Sequence, residues 1–255
     1  MADIHGTADS GYAARSETYV SGRPGYPPDV AGWLSEVLGV RAGTRVLDLG
    51  AGTGKFLPWL LQAGADVIAV EPVAEMRARL AEAYPQVQAL DGTAERIPLP
   101  DESINAVVCA QAFHWFATAL ALAEIRRVLK PGGRLGLIWN VRDERVGWVA
   151  RLSAITDPHQ GDAPRYRSGE WRRPFPADGF TFIGEAHFRN SHVGSAEDVI
   201  VGRTLSVSFI AALPAATQDA VVREVRALIA ATPELSGPEV AFPYETAAYA
   251  WKRSD

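Results

Sequence analysis

A single cysteine, the absence of a long apolar run and a small net charge limit what this 255-residue chain can be. Cys109 cannot form an internal disulfide, and its apolar neighbours predict a buried strand in which the thiol is a small core group. No apolar run approaches the roughly 20 residues of a membrane-spanning helix. Residues 1–21 lack an apolar core of signal-peptide length, so we expect a cytoplasmic protein without a membrane partner.

Features of three other protein classes are also missing. The net charge of −5 leaves no basic footprint for nucleic acid. The five histidines are scattered, without the spacing of metal ligands, so we expect no metal site. No Gly-x-Ser-x-Gly elbow supports a hydrolase. A composition of 47% hydrophobic and 22% charged residues is typical of a folded protein, and the length predicts one large α/β domain over residues 1–255.

Strand and helix patterns alternate regularly over residues 45–139, which predicts a parallel sheet with helices on both faces. The predicted strands are 45–49, 66–70, 87–90, 105–110 and 134–139, and the predicted helices are 27–38, 55–63, 73–83 and 117–129. The later pattern predicts a loop over 157–176, a strand over 180–189, a helix beginning near Ser195, a helix over 217–231 and a final strand over 240–251.

A glycine-rich turn follows the first predicted strand. The apolar strand is interrupted by one carboxylate, Asp48, and a helix pattern begins at Lys55. Between them, glycines stand at alternate positions: Gly50, Gly52 and Gly54. A strand, a tight glycine turn and a helix are typical of a nucleotide-type site, because glycine lets a ligand approach the backbone where a Cβ would stand.

Two kinds of ligand compete for this turn. A dinucleotide site needs G-x-G-x-x-G, but the third glycine comes one position early, and the Asp48 carboxylate would repel a pyrophosphate. The same carboxylate suits an ammonium group, and Glu71, at the end of the second predicted strand, suits a ribose hydroxyl. S-adenosylmethionine has an amino-acid end, a ribose and no phosphate. The alternatives are a nicotinamide oxidoreductase and a non-catalytic cofactor-binding protein.

Four motifs, in order, resemble those of class I S-adenosylmethionine-dependent methyltransferases. They occupy residues 46–54, 70–72 with Met76, 92–99 followed by 103–107, and 129–133. Two further stretches, 19–27 and 111–116, are similar to segments of methyltransferases related to trans-aconitate methyltransferase, which act mostly on small molecules. The resemblance covers about residues 27–140.

The resemblance implies a Rossmann-like fold with a seven-stranded, mostly parallel sheet, helices on both faces, an antiparallel last strand and a helical cap over 190–235. Residues 1–26 would form an N-terminal arm, 27–140 the cofactor-binding core, and 141–255 the acceptor-side elements, cap and final strands. The implied reaction moves a methyl group from S-adenosylmethionine, leaving S-adenosylhomocysteine, to an O, N, S or C nucleophile of a small molecule. We expect a monomer or homodimer.

The resemblance also implies roles for individual residues. The implied cofactor-binding residues are Asp48, Gly50, Ala51, Gly52, Thr53, Gly54, Glu71, Pro72, Met76, Gly92, Thr93, Ala94, Glu95, Gln111 and Ala112. Asp48 would contact the ligand, directly or through water, or else satisfy backbone N–H groups of the turn. Many relatives have an aspartate where Thr93 stands, so a carboxylate contact to the adenine amino group is lost.

The acceptor side offers fewer signals. His114 would act as a base or position the acceptor, and its alternative is a structural histidine hydrogen-bonded beside Trp115. The expected acceptor contacts are Tyr19, Arg23, Trp115 and Phe116. Four arginines of the predicted loop would either be solvated or recognise an anionic acceptor: Arg165, Arg167, Arg172 and Arg173.

Overall fold

The computed structural model describes residues 23–254, which contain a seven-stranded sheet with helices on both faces. The strands are β1 (Arg45–Leu49), β2 (Asp66–Val70), β3 (Gln88–Leu90), β4 (Ile104–Ala110), β5 (Leu129–Arg142), β6 (Phe180–Gly194) and β7 (Val240–Arg253). Across the sheet they lie in the order β3-β2-β1-β4-β5-β7-β6. The strand order therefore reverses between β1 and β4, and such a switch point places a crevice at the carboxyl ends of the strands.

Strands β1 to β5 pair in parallel, and β7 runs antiparallel between β5 and β6. The predicted fold class is confirmed, including the antiparallel final strand. Four of the five residues of β1 and of β2 are buried, as expected where helices cover both faces of a parallel sheet. Cys109 is fully buried in β4, as predicted for a small core residue.

The helices are α1 (Val30–Gly32), α2 (Leu57–Gln62), α3 (Ala74–Ala83), α4 (Ala119–Val128), α5 (Gly147–Thr156), α6 (Arg203–Leu205), α7 (Ser208–Ala211) and α8 (Ala215–Ala230). Two π-helical segments adjoin these helices: Trp33–Val37 follows α1, and Glu197–Gly202 precedes α6. One apolar layer of the sheet packs against α1 to α3, and the opposite layer packs against α4. A third apolar cluster joins α5, α8 and the start of β7.

Predicted and observed boundaries differ most after β5. The predicted strand at 180–189 continues to Gly194, because β6 pairs with β7 along its whole length. The helical cap therefore begins at Glu197, and the expected start at 190 is wrong. The cause is that β6 is polar beyond 189, so its own sequence does not reveal the pairing. The predicted helix start at Ser195 is supported by its hydroxyl, which accepts the Asp198 N–H at 3.1 Å.

The predicted loop at 157–176 contains three short 3-10 turns, Asp157–His159, Tyr166–Ser168 and Glu170–Arg172. It is not a freely solvated loop, because the Trp171 ring is buried against Trp139 of β5, with ring centroids 4.7 Å apart. The loop thus covers β5 on one face of the sheet.

Among residues 23–254, every helix is too short or too polar to cross a membrane. A cytoplasmic location remains a prediction.

Gly136 of β5 generates a test of the packing between sheet and helix. A Cβ at this position would lie 2.5 Å from Leu38 Cδ1 and 2.7 Å from the Trp33 ring. We expect Gly136→Ala to lower the free energy of unfolding by about 1–3 kcal/mol, because the core must shift to accept the methyl group. Urea unfolding measures this change.

The matched control is Gly147→Ala at the first residue of α5, where an added Cβ meets nothing within 4 Å. We expect no loss of stability there, because alanine favours helix over glycine. Equal stability of the two variants would contradict the packing argument.

Candidate functional site

A cavity opens beyond the carboxyl ends of the parallel strands, and we call it the first cavity. Its walls come from four consecutive strand ends: residues 49–53 after β1, 70–73 after β2, 92–95 after β3 and 110–112 after β4. All of the predicted cofactor-binding residues line it except Asp48 and Gly54. Arg23, Trp115 and Phe116, expected on the acceptor side, also line it, whereas Tyr19 lies outside the described residues.

The three glycines of the turn adopt left-handed backbone conformations, but for different reasons. A Cβ at Gly50 would lie 2.7 Å from Ala112 Cβ, and one at Gly54 would lie 2.9 Å from Leu57 Cδ1. Among residues 23–254, a Cβ at Gly52 would meet only Met76 Sδ, at 3.9 Å. Gly50 and Gly54 therefore permit close packing of the protein, whereas Gly52 keeps open a space that belongs to the cavity.

Glu71 connects the end of β2 to the glycine turn. Its carboxylate accepts the N–H of Gly52 at 2.8 Å and the N–H of Val73 at 2.9 Å. Burial raises the pKa of Glu71, although these two N–H donors and Arg77 oppose the rise. Each carboxylate oxygen has further acceptor capacity, so Glu71 can also receive hydroxyl donors from a ligand in the cavity.

Asp48 lies beneath the turn, not in the cavity wall. Its side chain is fully buried, and neither oxygen has a hydrogen-bond partner within residues 23–254. The N–H groups of Gly50 and Ala51 donate to the Val70 carbonyl and not to Asp48. The alternative in which Asp48 accepts hydrogen bonds from backbone N–H groups of the turn is therefore wrong. Burial, assisted by the charge of Glu71, raises the pKa of Asp48 to about 7.

A second cavity adjoins the first. Six residues line both cavities: Arg23, Gln111, Trp115, Asn140, Arg203 and Tyr244. Gln111, directly after β4, has a φ of 61°, a left-handed conformation that is uncommon for a residue with a side chain. Within the described part of the chain, no carboxylate lines the second cavity. Five arginines line it: Arg23, Arg142, Arg165, Arg167 and Arg203.

Arg142, at the end of β5, is the most deeply buried of these arginines, with 9% of its surface exposed. It donates to Thr156 Oγ1 at 3.2 Å and lies over the Phe242 ring, but it forms no ion pair with any carboxylate of residues 23–254. Burial, together with Arg203 and Arg165, lowers the pKa of Arg142 to about 10, although Tyr244 and Asp157 oppose this change. The neighbouring Tyr244 hydroxyl, also buried, has no hydrogen-bond partner in the same part of the chain.

The four loop arginines divide into two pairs. Arg165 and Arg167 line the second cavity, and both pair with Asp157, at 2.8 Å and 3.3 Å, while Arg167 also pairs with Glu144. Arg172 instead stacks on Trp171 and donates to the Tyr249 hydroxyl at 3.0 Å. Arg173 is exposed and pairs with Glu170.

His114 lines the second cavity and not the first. Its Nδ1 accepts a hydrogen bond from Trp139 Nε1 at 3.0 Å. Burial lowers the pKa of His114 to about 3, and the charges of Arg23 and Arg165 add to this effect. The histidine is therefore hydrogen-bonded, as the structural alternative expected, and its ring lies beside Trp115 with centroids 5.2 Å apart, but the hydrogen-bond partner is Trp139 of β5.

The segment at residues 23–26 passes over the junction of the cavities. Lys55 Nζ donates to the Arg23 carbonyl at 3.0 Å, and Asn140 Nδ2 donates to the Gly25 carbonyl at 3.0 Å. Arg23 itself donates to the Ser206 carbonyl of the cap at 3.1 Å. Burial and the charges of Arg23 and Arg203 lower the pKa of Lys55 to about 8, so the junction is crowded with cations.

Comparisons with known proteins agree with this architecture. A family model described as a methyltransferase domain matches residues 47–137. An uncharacterised methyltransferase of Mycobacterium tuberculosis is 43% identical over 229 residues, which is 89% of each chain. This chain belongs to the class I S-adenosylmethionine-dependent methyltransferases. A methyltransferase-like protein of Schizosaccharomyces pombe is 37% identical over 91% of each chain.

Among solved structures, a candidate type II methyltransferase from Anaeromyxobacter dehalogenans is similar to this methyltransferase, with a TM-score of 0.69 and 27% identity. The match covers 91% of this chain and 97% of the other. Membership of this family disfavours a nicotinamide oxidoreductase. The similarity to the trans-aconitate subgroup remains a prediction.

Sequence reasoning missed several residues of the methyltransferase site. Asn140 and Arg142 lie at the carboxyl end of β5, where ligands of such sheets bind. They were missed because the predicted strand ends at 139. No local pattern marks Arg203 or Tyr244, because Arg203 reaches the cavities through packing of the cap and Tyr244 through the pairing of β7 with β5. In residues 23–254, no cluster of three or more His, Cys, Asp or Glu side chains could hold a metal ion.

The buried Asp48 predicts an unusual pH dependence of stability. Its folded pKa of about 7 lies above the ordinary 3.8, so its contribution to stability is fully present below about pH 4 and is lost as the pH rises through about 7. Asp48→Asn cannot ionise. We expect the variant to be more stable than the wild type at about pH 8, by up to about 4 kcal/mol, with little or no gain near pH 4.

Urea unfolding of the ligand-free protein at both pH values measures this difference. The matched control is Asp66→Asn at the start of β2, where the carboxylate is exposed and pairs with Arg45. We expect less than about 1 kcal/mol there at either pH. A wild type and an Asp48→Asn variant with the same pH dependence would refute the buried-acid interpretation.

Proposed function

We propose that this methyltransferase transfers the methyl group of S-adenosylmethionine to a small molecule that carries an anionic group. The cofactor occupies the first cavity and the acceptor occupies the second. The observation that carries the proposal is Arg142, a buried guanidinium that faces the second cavity without a carboxylate partner in residues 23–254. An anionic acceptor supplies the missing counter-charge.

The first cavity suits S-adenosylmethionine on two grounds of geometry. Gly52 leaves space at the turn where any Cβ would protrude, and Glu71 presents buried acceptor oxygens for ribose hydroxyls. Met76 and the backbone at 92–95 would flank the adenine. When bound, the cofactor supplies an electrophilic methyl group on a sulfonium sulfur. Gln111, which lines both cavities, stands at the junction that the methyl group must cross.

The second cavity suits an anion because Arg142 faces it without an ion-pair partner among residues 23–254. Taking an arginine out of water without a partner costs several kcal/mol, so a folded protein tolerates it where a ligand restores the balance. The guanidinium of Arg142 and the hydroxyl of Tyr244, which has no hydrogen-bond partner among residues 23–254, together offer hydrogen-bond donors to one carboxylate. Arg165, whose charge is shared with Asp157, borders the same space.

In the proposed reaction, the main task of the protein is to align the acceptor with the cofactor, and proton transfer is a smaller part of it. The segment at 23–26 and the cap enclose the junction, so acceptor and cofactor can be held close together and away from water. Such orientation can contribute about 7–11 kcal/mol of rate enhancement. A protein that binds the cofactor but transfers nothing is the remaining alternative. Turnover of methyl-labelled S-adenosylmethionine with any acceptor distinguishes the two.

Cofactor binding is tested at Gly52. We expect calorimetry to detect binding of S-adenosylmethionine and S-adenosylhomocysteine to the wild type, and Gly52→Val to abolish it, because the side chain fills the ligand space. The matched control is Gly161→Val, whose φ of 59° is close to the 58° of Gly52, with nothing within 4 Å of an added Cβ. The control carries the same backbone strain but leaves binding intact. Normal binding by Gly52→Val would show that the cofactor site is misplaced.

The acceptor site is tested at Arg142. We expect Arg142→Met to lower methyl transfer to anionic acceptors at least tenfold, because a hydrogen bond to a charged group contributes about 1.5–3 kcal/mol. The same variant should unfold at equal or higher urea concentration, since it removes a buried charge whose replacement is often neutral or stabilising by about 1–4 kcal/mol.

Acceptors for this measurement are matched pairs of small carboxylates and their neutral amides, with labelled cofactor. Arg173→Ala is the control, because Arg173 is exposed and outside both cavities, and it should leave transfer unchanged. Equal transfer to acids and amides, or an Arg142→Met variant with full activity, would contradict an anionic acceptor.

A further inference from the structure

The hydrogen bond between Trp139 and His114 determines which nitrogen of the histidine carries the proton. An indole N–H can donate but cannot accept. His114 Nδ1, which lies 3.0 Å from Trp139 Nε1, is therefore the unprotonated nitrogen, and the neutral ring carries its proton on Nε2. Nε2 forms no hydrogen bond within residues 23–254, and the ring lines the second cavity.

Trp139 is itself held rigidly, so it fixes the orientation of the histidine. Its side chain is fully buried in β5 and packs against Tyr166, Trp171 and Tyr249, with ring centroids 5.1 Å, 4.7 Å and 6.2 Å away. Two of these rings belong to the loop over 157–176. The loop that carries Arg165 thus also supports the tryptophan that orients His114.

The charges around the second cavity keep His114 neutral. The titratable and charged groups that line it with His114 are Arg23, Arg142, Arg165, Arg167, Arg203, Tyr166 and Tyr244. A protonated histidine would add a further cation to a wall that already holds five arginines, among them Arg142, which forms no ion pair within residues 23–254. This arrangement agrees with the lowered pKa of His114, about 3, caused by burial and by Arg23 and Arg165.

We infer that His114 is a fixed hydrogen-bond donor, through its Nε2–H, to an anionic oxygen of the acceptor in the second cavity, and that Trp139 is the positioning residue that maintains this tautomer. The inference rests on the proposed function, because the acceptor is what His114 contacts. It replaces the base that the sequence suggested: a ring whose Nδ1 is occupied and whose Nε2 is protonated has no lone pair to offer the acceptor. The acceptor therefore attacks without giving a proton to His114.

The tautomer is tested first, without any ligand. Long-range nitrogen-15 spectra of the imidazole rings report which nitrogen is protonated, and the spectrum of His114→Gln identifies the signals of His114. We expect a neutral Nε2–H ring that does not titrate between about pH 5 and pH 8. In Trp139→Phe, which keeps an aromatic ring but has no N–H, the signals should shift toward a mixture of the two tautomers. A proton on Nδ1 of the wild type, or a titration in that range, would overturn the inference.

The donor role is tested with succinate as the probe, by calorimetry on the complex with S-adenosylhomocysteine. We expect His114→Phe, which lacks a donor, to weaken succinate binding about 10- to 100-fold. His114→Gln carries an amide N–H near the position of Nε2 and should restore most of the affinity. Equal losses in the two variants would refute the donor role, as would a wild type that binds S-adenosylhomocysteine but not succinate. A wild type that does not bind S-adenosylhomocysteine would contradict the proposed function instead.

Discussion

The site depends on the hydrogen bonds that tie the glycine turn to the end of β2. The Val70 carbonyl accepts from Gly50 and Ala51, and the Glu71 carboxylate accepts from Gly52. These bonds hold a left-handed turn open at the point where the strand order reverses. A buried acid is the consequence: Asp48 lies beneath this turn, where burial keeps its pKa high. The N–H groups of Gly50, Ala51 and Gly52 in the floor of the first cavity are therefore hydrogen-bonded, while the Asp48 carboxyl group under them has no partner among residues 23–254.

The second cavity follows a different physical rule. Its wall is made by elements far apart in the chain, and they bring five arginines together, of which Arg165 and Arg167 are ion-paired. Arg142 illustrates the result, because its guanidinium is buried beside other arginines and finds a neutral partner in Thr156. In the proposed function, an anionic acceptor would offset the cost of burying this charge in the ligand-free protein. The neutral tautomer of His114, oriented by Trp139, adds no further positive charge to this cavity.

The two cavities were not equally accessible to prediction. The first is built from turns that directly follow strands, so Gly52, Glu71 and Gln111 could be assigned from local pattern and motif order. Even there, neighbours in sequence have different roles: Asp48 and Gly54 belong to the same motif but lie outside the cavity wall. The Asp48 side chain is buried in the protein, and a Cβ at Gly54 would point at Leu57, because successive residues of a strand or tight turn face opposite ways and spacing does not show which face the ligand will use.

The sequence by itself determined the order of strands and helices, the crevice at their carboxyl ends and the glycine turn, because these follow from periodicity and from backbone conformations that few residues adopt. Only the tertiary structure decided how β6 extends to Gly194, which loop arginines face a cavity and which nitrogen of His114 is protonated. Those outcomes depend on partners many residues away, on strand β7, the cap and Trp139. Burial and the hydrogen bonds that accompany it are properties of the packed chain, not of a segment.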